Sequence, residues 1–436
     1  MSTAREYARR RKRLMAEMGE GVAIIPTSPQ QRRNRDVEYP YRPDSDFYYL
    51  TGFAEPNALA VLAPGRADGE FVLFCQPRDP EKESWTGRRC GPERAGERHG
   101  ADQAWAIDQI DEVMPGLLAD HEQLYYSFGN YADMDQQVLD WVRRLRERAR
   151  AGVQAPSEFI SLDPLVHEMR LFKSAAELKL MRTAAKISAT AHVRAMQVCR
   201  PGMHEYQVEA ELLHEFTRNG ARFPAYESIV GGGANGCILH YTQNDARLED
   251  GDLLLIDAGA EYQGYAADIT RTFPVNGRFS GEQRALYDLV LDSQLAAIAA
   301  VQPGADWDAP HRAAVRVLTA GLRDLGILEG EVDALIEDGA YRPYYMHRTG
   351  HWLGMDVHDV GDYKIDGAWR MLEKGMVTTV EPGLYIAEGS EGVDPRWWNI
   401  GIRIEDDVLV TRDGHEILTA GVPKDAAEIE ALMTGA

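Results

Sequence analysis

Two aspartates placed eleven positions apart are the residues of this sequence best suited to chemistry. Asp257 directly follows the apolar run Leu-Leu-Leu-Ile, and Asp268 lies beyond a turn-rich segment, residues 261–264. Short apolar flanks on both sides are typical of a β-hairpin. With the hairpin centred between Tyr262 and Gln263, the two aspartates lie directly opposite each other, with Cβ atoms roughly 4.5–5.5 Å apart. Carboxylates this close in apolar surroundings repel each other, so they either share a proton or bind a cation.

A second pair of acids has the same kind of context near the C-terminus. Glu381 ends the β-branched run in GMVTTVEPGLYI, and Glu405 lies in the middle of GIRIEDDVLV. Three histidines, His347, His351 and His358, precede this pair, and His351 has the best context for a ligand because a glycine precedes it and an apolar Trp-Leu follows. Two aspartates, two glutamates and one imidazole form a plausible ligand set for two divalent metals that share bridging carboxylates.

Simpler interpretations compete for several of these residues. Asp257 would usually be a solvated loop residue, but the cost of burying a bare charge after an apolar run favours metal ligation. Glu405 precedes two further acids, so a solvated acidic turn competes, and Arg403 shares its strand face, so an in-chain salt bridge competes as well. The glycine-rich stretch before His240 lacks the Lys-Ser/Thr of a P-loop, and we interpret it as a flexible loop that brings His240 to the site.

The bulk composition excludes several classes of protein. The chain has 436 residues, which favours two domains, and a net charge of −22 argues against nucleic acid or an anionic membrane as the main partner. The four cysteines are widely spaced and form no CxxC, which favours a reduced, cytoplasmic protein without a cysteine zinc site. No apolar run approaches the roughly 18 residues that a membrane span needs. The basic N-terminus lacks the apolar core of a secretory signal and predicts a surface helix.

Residues 1–173 predict a smaller α/β domain. Turn-rich stretches separate short apolar runs, and residues 133–150 have helical periodicity. We find in this part no cluster of histidine with acids that indicates a site. The predicted strands are Val22–Ile25, Phe47–Leu50, Ala58–Leu62 and Glu70–Cys75.

Residues 174–436 predict a domain with an internal duplication. Ser174 and Glu177 form a capping box that opens a long helix ending before Pro201, and a second helix covers Glu205–Arg218. About a hundred residues later the same order recurs, with helices at 280–302 and 309–324. Each helix pair precedes one acid-bearing pair of strands, so two α-α-β halves would close around one site.

The motifs themselves resemble a known family. HWLGMDVHDVG, VEPGLYI and GIRIEDD, with the Asp-x10-Asp hairpin, are similar to motifs of the pita-bread metallopeptidases, and most of all to aminopeptidase P, the Xaa-Pro aminopeptidases. YRPDSDFYYLTGF resembles the N-terminal domain of that family, and FPAYESIVGGGANGCILHYTQND its catalytic domain. The resemblance covers nearly the whole chain and implies an α/β (α+β) protein with a C-terminal pita-bread domain of pseudo-two-fold symmetry. Methionine aminopeptidases share the five-ligand pattern but are usually shorter and lack the N-terminal domain.

The resemblance assigns roles to particular residues. Asp257 and Asp268 would bind one metal, with Asp268 bridging, and His351 and Glu381 the other, with Glu405 bridging. The family usually uses manganese. The remaining roles that it implies are stabilisation of the tetrahedral intermediate by His240 and His358, proton transfer by Glu381, a proline pocket walled by His347, Tyr385 and Arg403, and contact of Trp85 with a neighbouring subunit's site in tetrameric members.

The resulting hypothesis is hydrolysis of the first peptide bond of peptides with proline at position two, by a hydroxide that bridges two metals. The first domain would serve oligomerisation, as a tetramer or dimer, and access to the site. Three alternatives remain open. Prolidases share both domains and cleave dipeptides, a creatinase-like hydrolase works without metal, and a non-catalytic binding protein could retain the fold.

Overall fold

The structure, a computed structural model, describes residues 4–435 and divides into two units between Arg170 and Leu171. The sequence places this boundary three residues later, after Lys173. Within residues 4–435, no helix combines the length and the apolar character needed to cross a bilayer.

The N-terminal unit is built around a mixed six-stranded sheet with the order β4-β3-β2-β1-β5-β6. Its core packs apolar side chains of β1 to β3 against α5 and α6, with Trp141 fully buried. The strands are β1 Val22–Pro26, β2 Leu59–Leu62, β3 Phe71–Cys75, β4 Gln103–Ala106, β5 Gln123–Tyr125 and β6 Glu158–Ile160. The helices are α1 Ala4–Met18, α2 Ser45–Thr51, α3 Pro80–Thr86, α4 Pro92–His99, α5 Ile110–Leu118, α6 Ala132–Glu147 and α7 Asp163–Leu171.

One predicted strand of this unit is wrong. Phe47–Leu50 belongs to helix α2, although its aromatic residues favour a strand. Asp44 precedes the helix and its Oδ1 accepts a hydrogen bond from Phe47 N at 3.0 Å, while Gly52 ends the helix with a φ of 63°. These two caps satisfy the helix ends and outweigh the local preference for extended backbone.

The sequence indicates no site of histidine and acids in this unit, but the structure does bring one histidine and two acids together. Asp46, Asp163 and His167 bring ligand atoms within 4.8 Å of one another. Arg170 Nη1 lies 2.7 Å from Asp46 Oδ1, and its charge helps to hold the pKa of Asp46 at about 2 although burial raises it. The cluster therefore carries its own counter-charge and is explained as an ion-pair network.

The C-terminal unit contains six helices and thirteen strands among the described residues, the strands arranged in five small sheets. The helices are α8 Ala175–Val198, α9 Glu205–Arg218, α10 Gly281–Ala300, α11 Ala309–Asp324, α12 Val332–Glu337 and α13 Ala426–Thr434. The strands are β7 Phe223–Pro224, β8 Ile229–Gly232, β9 Leu253–Asp257, β10 Ala260–Tyr262, β11 Tyr265–Ala266, β12 Thr270–Pro274, β13 Lys364–Ile365, β14 Ala368–Trp369, β15 Val377–Val380, β16 Gly383–Ile386, β17 Ile400–Arg403, β18 Asp406–Val410 and β19 His415–Ile417.

The duplicated order of elements is confirmed. α8 packs on α9 and α10 packs on α11, and each pair precedes strands whose ends and gaps hold two of the acids. Both predicted capping boxes are present, since Ser174 and Ser280 accept hydrogen bonds from the third residue of the helices that they open. The halves share one core, in which Ile256 and Phe273 of the first half cluster with Ile402 of the second.

The register predicted for the first hairpin is wrong: the centre of the turn lies one residue later, which moves each pairing partner by two residues. The turn consists of Gln263 and Gly264, with φ values of 51° and 80°, which is the backbone of a two-residue hairpin turn. Asp257 therefore pairs with Thr270 rather than with Asp268. Because Asp268 lies two positions from Thr270, it shares the face of Asp257 as a diagonal neighbour. The two carboxylates thus still converge.

Candidate metal centre and substrate cavity

A cavity of about 1040 Å³ opens in the C-terminal unit and collects most of the residues that the sequence singled out. Tyr385 lies behind its wall, hydrogen-bonded to residues that line it. Trp85 belongs to the N-terminal unit, where its side chain is 86% exposed. The predicted site residues that line the cavity are His240, Asp257, Asp268, His347, His351, His358, Glu381, Arg403 and Glu405.

Interruptions in the strands direct the four acids into this cavity. Asp257 is the last residue of β9, and Asp268 lies in the gap between β11 and β12. Glu381 lies between β15 and β16, and Glu405 between β17 and β18, so Glu405 is not in the middle of one strand as the sequence predicts. Such interruptions re-aim side chains beside active sites. Each half of the unit therefore places its two acids where a strand ends or is interrupted.

A tyrosine that the sequence did not indicate joins the first pair of acids. Tyr226 Oη lies 2.6 Å from Asp257 Oδ1 and 2.5 Å from Asp268 Oδ1. Burial and the charges of these two aspartates raise its pKa well above the usual value, so the phenol stays protonated and donates. Tyr226 precedes β8 by a few residues and follows no periodic pattern, so only tertiary structure reveals its role.

His351 presents the correct nitrogen for a ligand. Its Nδ1 lies 3.0 Å from the Trp352 carbonyl oxygen, an acceptor, so Nδ1 carries the hydrogen and Nε2 faces the acids. Nε2 lies 3.4 Å from Asp268 Oδ2 and 3.7 Å from Glu381 Oε1. Burial lowers the pKa of His351, but its carboxylate neighbours outweigh that effect and raise it to about 9. Ligand atoms of Asp268, His351 and Glu405 all lie within 4.8 Å of one another.

The carboxylates of the cavity carry more negative charge than the chain compensates. Burial raises the pKa of Glu381 to about 7, and burial with the charges of Asp268 and Glu381 raises that of Glu405 well above its usual range. Burial and Asp268 also raise the pKa of Asp257. For Asp268 burial acts in the same direction, but His351 outweighs it and lowers the pKa. A buried set of acids in this state fits divalent cations, because cations would remove the repulsion.

Arg403 compensates part of this charge and links the site to its wall. Its Nη2 donates to Asp257 Oδ2 at 2.7 Å and its Nη1 to Tyr385 Oη at 2.9 Å. Tyr385 Oη lies 2.9 Å from His347 Nε2, while His347 Nδ1 lies 2.7 Å from the carbonyl oxygen of Arg348. Burial and the charge of Arg403 lower the pKa of His347 to about 3, so this imidazole is neutral and accepts from Tyr385.

The two simpler interpretations of Glu405 are contradicted. Glu405, Asp406 and Asp407 are at most 1% exposed, so they do not form a solvated acidic turn. Arg403 forms its ion pair with Asp257, and the described residues show none between Arg403 and Glu405. Glu405 Oε2 instead accepts a hydrogen bond from Thr270 of the first half at 2.7 Å.

Part of the glycine-rich stretch before His240 is folded and packed against a strand. It forms a short 3₁₀ helix, Gly233–Cys237, that packs against strand β17. A Cβ atom on Gly401 of β17 would lie 2.1 Å from the carbonyl oxygen of Gly236. Close packing of two backbones thus accounts for glycine at position 401.

Comparisons with known proteins agree with this geometry. Residues 179–412 match metallopeptidase family M24, and residues 7–125 match the aminopeptidase P N-terminal domain. The chain is 50% identical to the Xaa-Pro aminopeptidase of Escherichia coli (strain K12) over 433 residues, 99% of this chain and 98% of that one. It is 33% identical to Homo sapiens Xaa-Pro aminopeptidase 3, over 99% of this chain and 86% of that one. A solved structure of Pseudomonas aeruginosa aminopeptidase PepP is 58% identical, with a TM-score of 0.99 over 99% of this chain and 98% of that chain.

These matches span both units and cover the segments that supply the acids, the histidines and the strand breaks around the cavity. They confirm the expected architecture of a smaller N-terminal α/β domain followed by a pita-bread domain. The chain therefore belongs to metallopeptidase family M24 and carries the N-terminal domain of aminopeptidase P.

Proposed function

We propose that this chain is an Xaa-Pro aminopeptidase that hydrolyses the first bond of peptides with proline at position two. The observation that carries the proposal is the convergence of Asp257, Asp268, His351, Glu381 and Glu405 on one cavity without sufficient internal counter-charge. The relatives named above as Xaa-Pro aminopeptidases support the substrate class.

The five side chains would hold two divalent cations. Four carboxylates and one imidazole are a hard, oxygen-rich ligand set, which is consistent with Mn²⁺. When bound, these cations would supply Lewis-acid activation of water and of the scissile carbonyl. A complete ligand set speaks against the creatinase-like alternative, which needs no metal.

The protein's own groups would manage the charge and the proton. His240 and His358 line the cavity beside the acids, where an imidazole N–H can donate to the oxyanion that develops on the carbonyl. Burial lowers the pKa of His358, so it acts as a neutral donor. Glu381, which also lines the cavity, can accept a proton from the attacking water and return it to the proline nitrogen.

Recognition of proline has to depend on shape, because the bond before a proline is a tertiary amide without an N–H. We propose that His347, Tyr385 and Arg403 form the wall against the ring. Their chain of hydrogen bonds, from Arg403 to Tyr385 to His347, fixes all three side chains in place. Groups fixed before binding lose little entropy when the substrate enters.

The test is an assay of the purified, metal-stripped protein with Ala-Pro-Ala and with Ala-Pro, in the presence and absence of Mn²⁺. We expect manganese-dependent release of free alanine from the tripeptide. Release from the dipeptide alone would establish a prolidase instead. No release from either peptide, with two metals bound, would leave the binding-protein alternative as the better account.

The assembly and location of the protein are further parts of the proposal. We propose a homo-oligomer, a tetramer or dimer, in the cytoplasm, with residues 1–173 serving assembly and access to the cavity of residues 174–436. The 86% exposure of Trp85 supports a role for this side chain at a neighbouring subunit's site. Sedimentation of the wild type and of Trp85→Ala, with kinetics at matched concentrations, tests the oligomeric state and the role of Trp85.

A further inference from the structure

The position of His240 depends on the backbone of a long connection. We call residues 233–252, between β8 and β9, the His240 loop, and beyond the short 3₁₀ helix it contains no regular element. The His240 imidazole is exposed within the cavity, and nothing in the described part of the chain forms a hydrogen bond with it. Whatever fixes the loop therefore fixes the imidazole.

Glu205 fixes this loop at several points. Its Oε1 accepts hydrogen bonds from Gly232 N at 2.8 Å and Asn235 Nδ2 at 3.0 Å. Its Oε2 accepts from Tyr241 Oη at 2.8 Å and Ala246 N at 2.9 Å. One carboxylate thus joins the residue before the loop, two positions within the loop and the residue next to His240.

The burial of Glu205 makes these bonds strong. Its side chain is 0% exposed, so every bond lies in a region of low dielectric. It is the first residue of α9, where the helix dipole favours a negative charge. Four donors and this dipole explain how the carboxylate stays buried, since a buried charge without partners would be costly.

Apolar contacts of Tyr241 connect the Glu205 hydrogen bonds to the wall of the cavity. Tyr241 is 6% exposed and clusters with Ile229, Leu255 and Tyr385, the last of which stands behind the cavity wall. The ring of Tyr241 is therefore clamped between this cluster and the carboxylate of Glu205. Because Tyr241 directly follows His240, the clamp leaves the backbone of His240 little freedom.

We propose that Glu205 is a positioning residue for His240, holding the His240 loop so that the imidazole stays aimed at the cavity. The inference rests on the proposed aminopeptidase function. It adds a buried carboxylate on a helix outside the metal centre to the groups on which catalysis depends.

A double-mutant cycle tests this inference, with steady-state kinetics on Ala-Pro-Ala in the presence of Mn²⁺. We expect His240→Ala to lose about 10²-fold in kcat, as for removal of an oxyanion donor. Glu205→Gln should lose about 10-fold in kcat, because a small misplacement of a catalytic group is costly. The double variant should lose no more than His240→Ala alone, since Glu205 would act through His240. Losses that multiply to about 10³-fold in the double variant would overturn the proposal.

Two further variants separate positioning from general damage. Tyr241→Phe removes one of the four hydrogen bonds to Glu205 and keeps the ring. It should therefore give a smaller loss in kcat, and that loss should disappear in the His240→Ala background. If Glu205→Gln does not fold, Tyr241→Phe replaces it in the cycle. Glu209→Gln is the control, because it removes a charge from the same helix and no described residue forms a hydrogen bond with Glu209. Its kcat should equal that of the wild type. An unchanged kcat in both Glu205→Gln and Tyr241→Phe would overturn the inference.

A second readout does not depend on activity. Hydrogen–deuterium exchange in the segment 233–247 should rise in Glu205→Gln or Tyr241→Phe, while exchange in α10 stays unchanged. Equal exchange in the loop of variant and wild type would contradict the inference. If the wild type released no alanine, the proposed function would fail, and the exchange measurement would still decide whether Glu205 fixes the loop.

Discussion

Glu405 and Asp406 are neighbours in the chain and both are buried, but their surroundings shift the pKa values of the two carboxyl groups in opposite directions. Glu405 faces the cavity, where burial and other carboxylates raise its pKa well above the usual range. Asp406 points the other way, where burial is outweighed by Arg271 and Lys424 and the pKa falls below its usual range. Arg271 Nη2 lies 2.8 Å from Asp406 Oδ1, and Lys424 Nζ lies 2.7 Å from Oδ2.

The difference in counter-ions distinguishes an acid of the cavity, Glu405, from an acid of a structural ion-pair network, Asp406. Asp406 has its counter-ions within the chain, and Gln294 and Thr419 complete its hydrogen bonds. Glu405 faces three more acids with one arginine and one histidine among them, so its neutralisation has to come from a shared proton or from a bound cation. A buried acid with internal cations holds the fold together, whereas a buried acid without them indicates a cation site.

Removal of the Glu405 side chain should produce the largest effect. Glu405→Ala deletes one of the five side chains that would hold the two cations, and we expect kcat/KM to fall at least ~10³-fold, the equivalent of several kcal/mol of transition-state stabilisation. Kinetics on Ala-Pro-Ala together with the metal content of the purified variant measure this. Glu416→Ala, at an exposed glutamate paired with Arg182, is the control. Near-normal rates and metal content in Glu405→Ala would show that the site is assigned wrongly.

Neutralising Asp406 should destabilise the fold. Asp406→Asn leaves Arg271, which is 0% exposed, without its charged partner, and such a loss typically costs about 3–5 kcal/mol. The free energy of unfolding from urea titration measures it, with and without Mn²⁺. The loss should be the same in both conditions, because the network does not face the cavity. A loss confined to the metal-loaded protein would place Asp406 in the site instead.

Added metal should stabilise the wild type by mass action. At a concentration 100 times its dissociation constant, a cation that binds the folded state contributes about 2.7 kcal/mol. The midpoint of urea unfolding should therefore rise with Mn²⁺ in the wild type and much less in Glu405→Gln. Asp406→Asn should respond like the wild type. Equal responses of Glu405→Gln and the wild type would argue that Glu405 does not bind metal.

The smallest effect should have the opposite sign. In the metal-free protein, burial and the neighbouring acids raise the pKa of Glu405, so folding at neutral pH has to protonate this group or bury its charge. Glu405→Gln removes that cost and keeps an oxygen to accept from Thr270 Oγ1. We expect a gain on the order of 1 kcal/mol in the free energy of unfolding at neutral pH, since one pKa unit corresponds to about 1.4 kcal/mol. Urea unfolding in the presence of a chelator measures this. A clear loss of stability would mean that Glu405 is compensated within the fold.

The sequence determined the elements whose signals are local. Helices α9 and α11 have the predicted bounds, Glu205–Arg218 and 309–324, because apolar periodicity acts between residues a few positions apart. The acids and histidines of the cavity were also found from the sequence, partly from burial logic and partly from motif resemblance. These features depend on residue type and on short spacing.

Tertiary structure alone decided which way each of these residues points. The turn at Gln263 and Gly264 moved the pairing partner of Asp257 by two residues, from Asp268 to Thr270. The strand break between β17 and β18 directs Glu405 to the cavity and Asp406 to Arg271. Tyr226 and Glu205 act on residues that lie far from them in the chain, so no local pattern marks them. Propensity and periodicity describe neighbours along the chain, but the neutralisation of a buried charge depends on partners that only folding brings together.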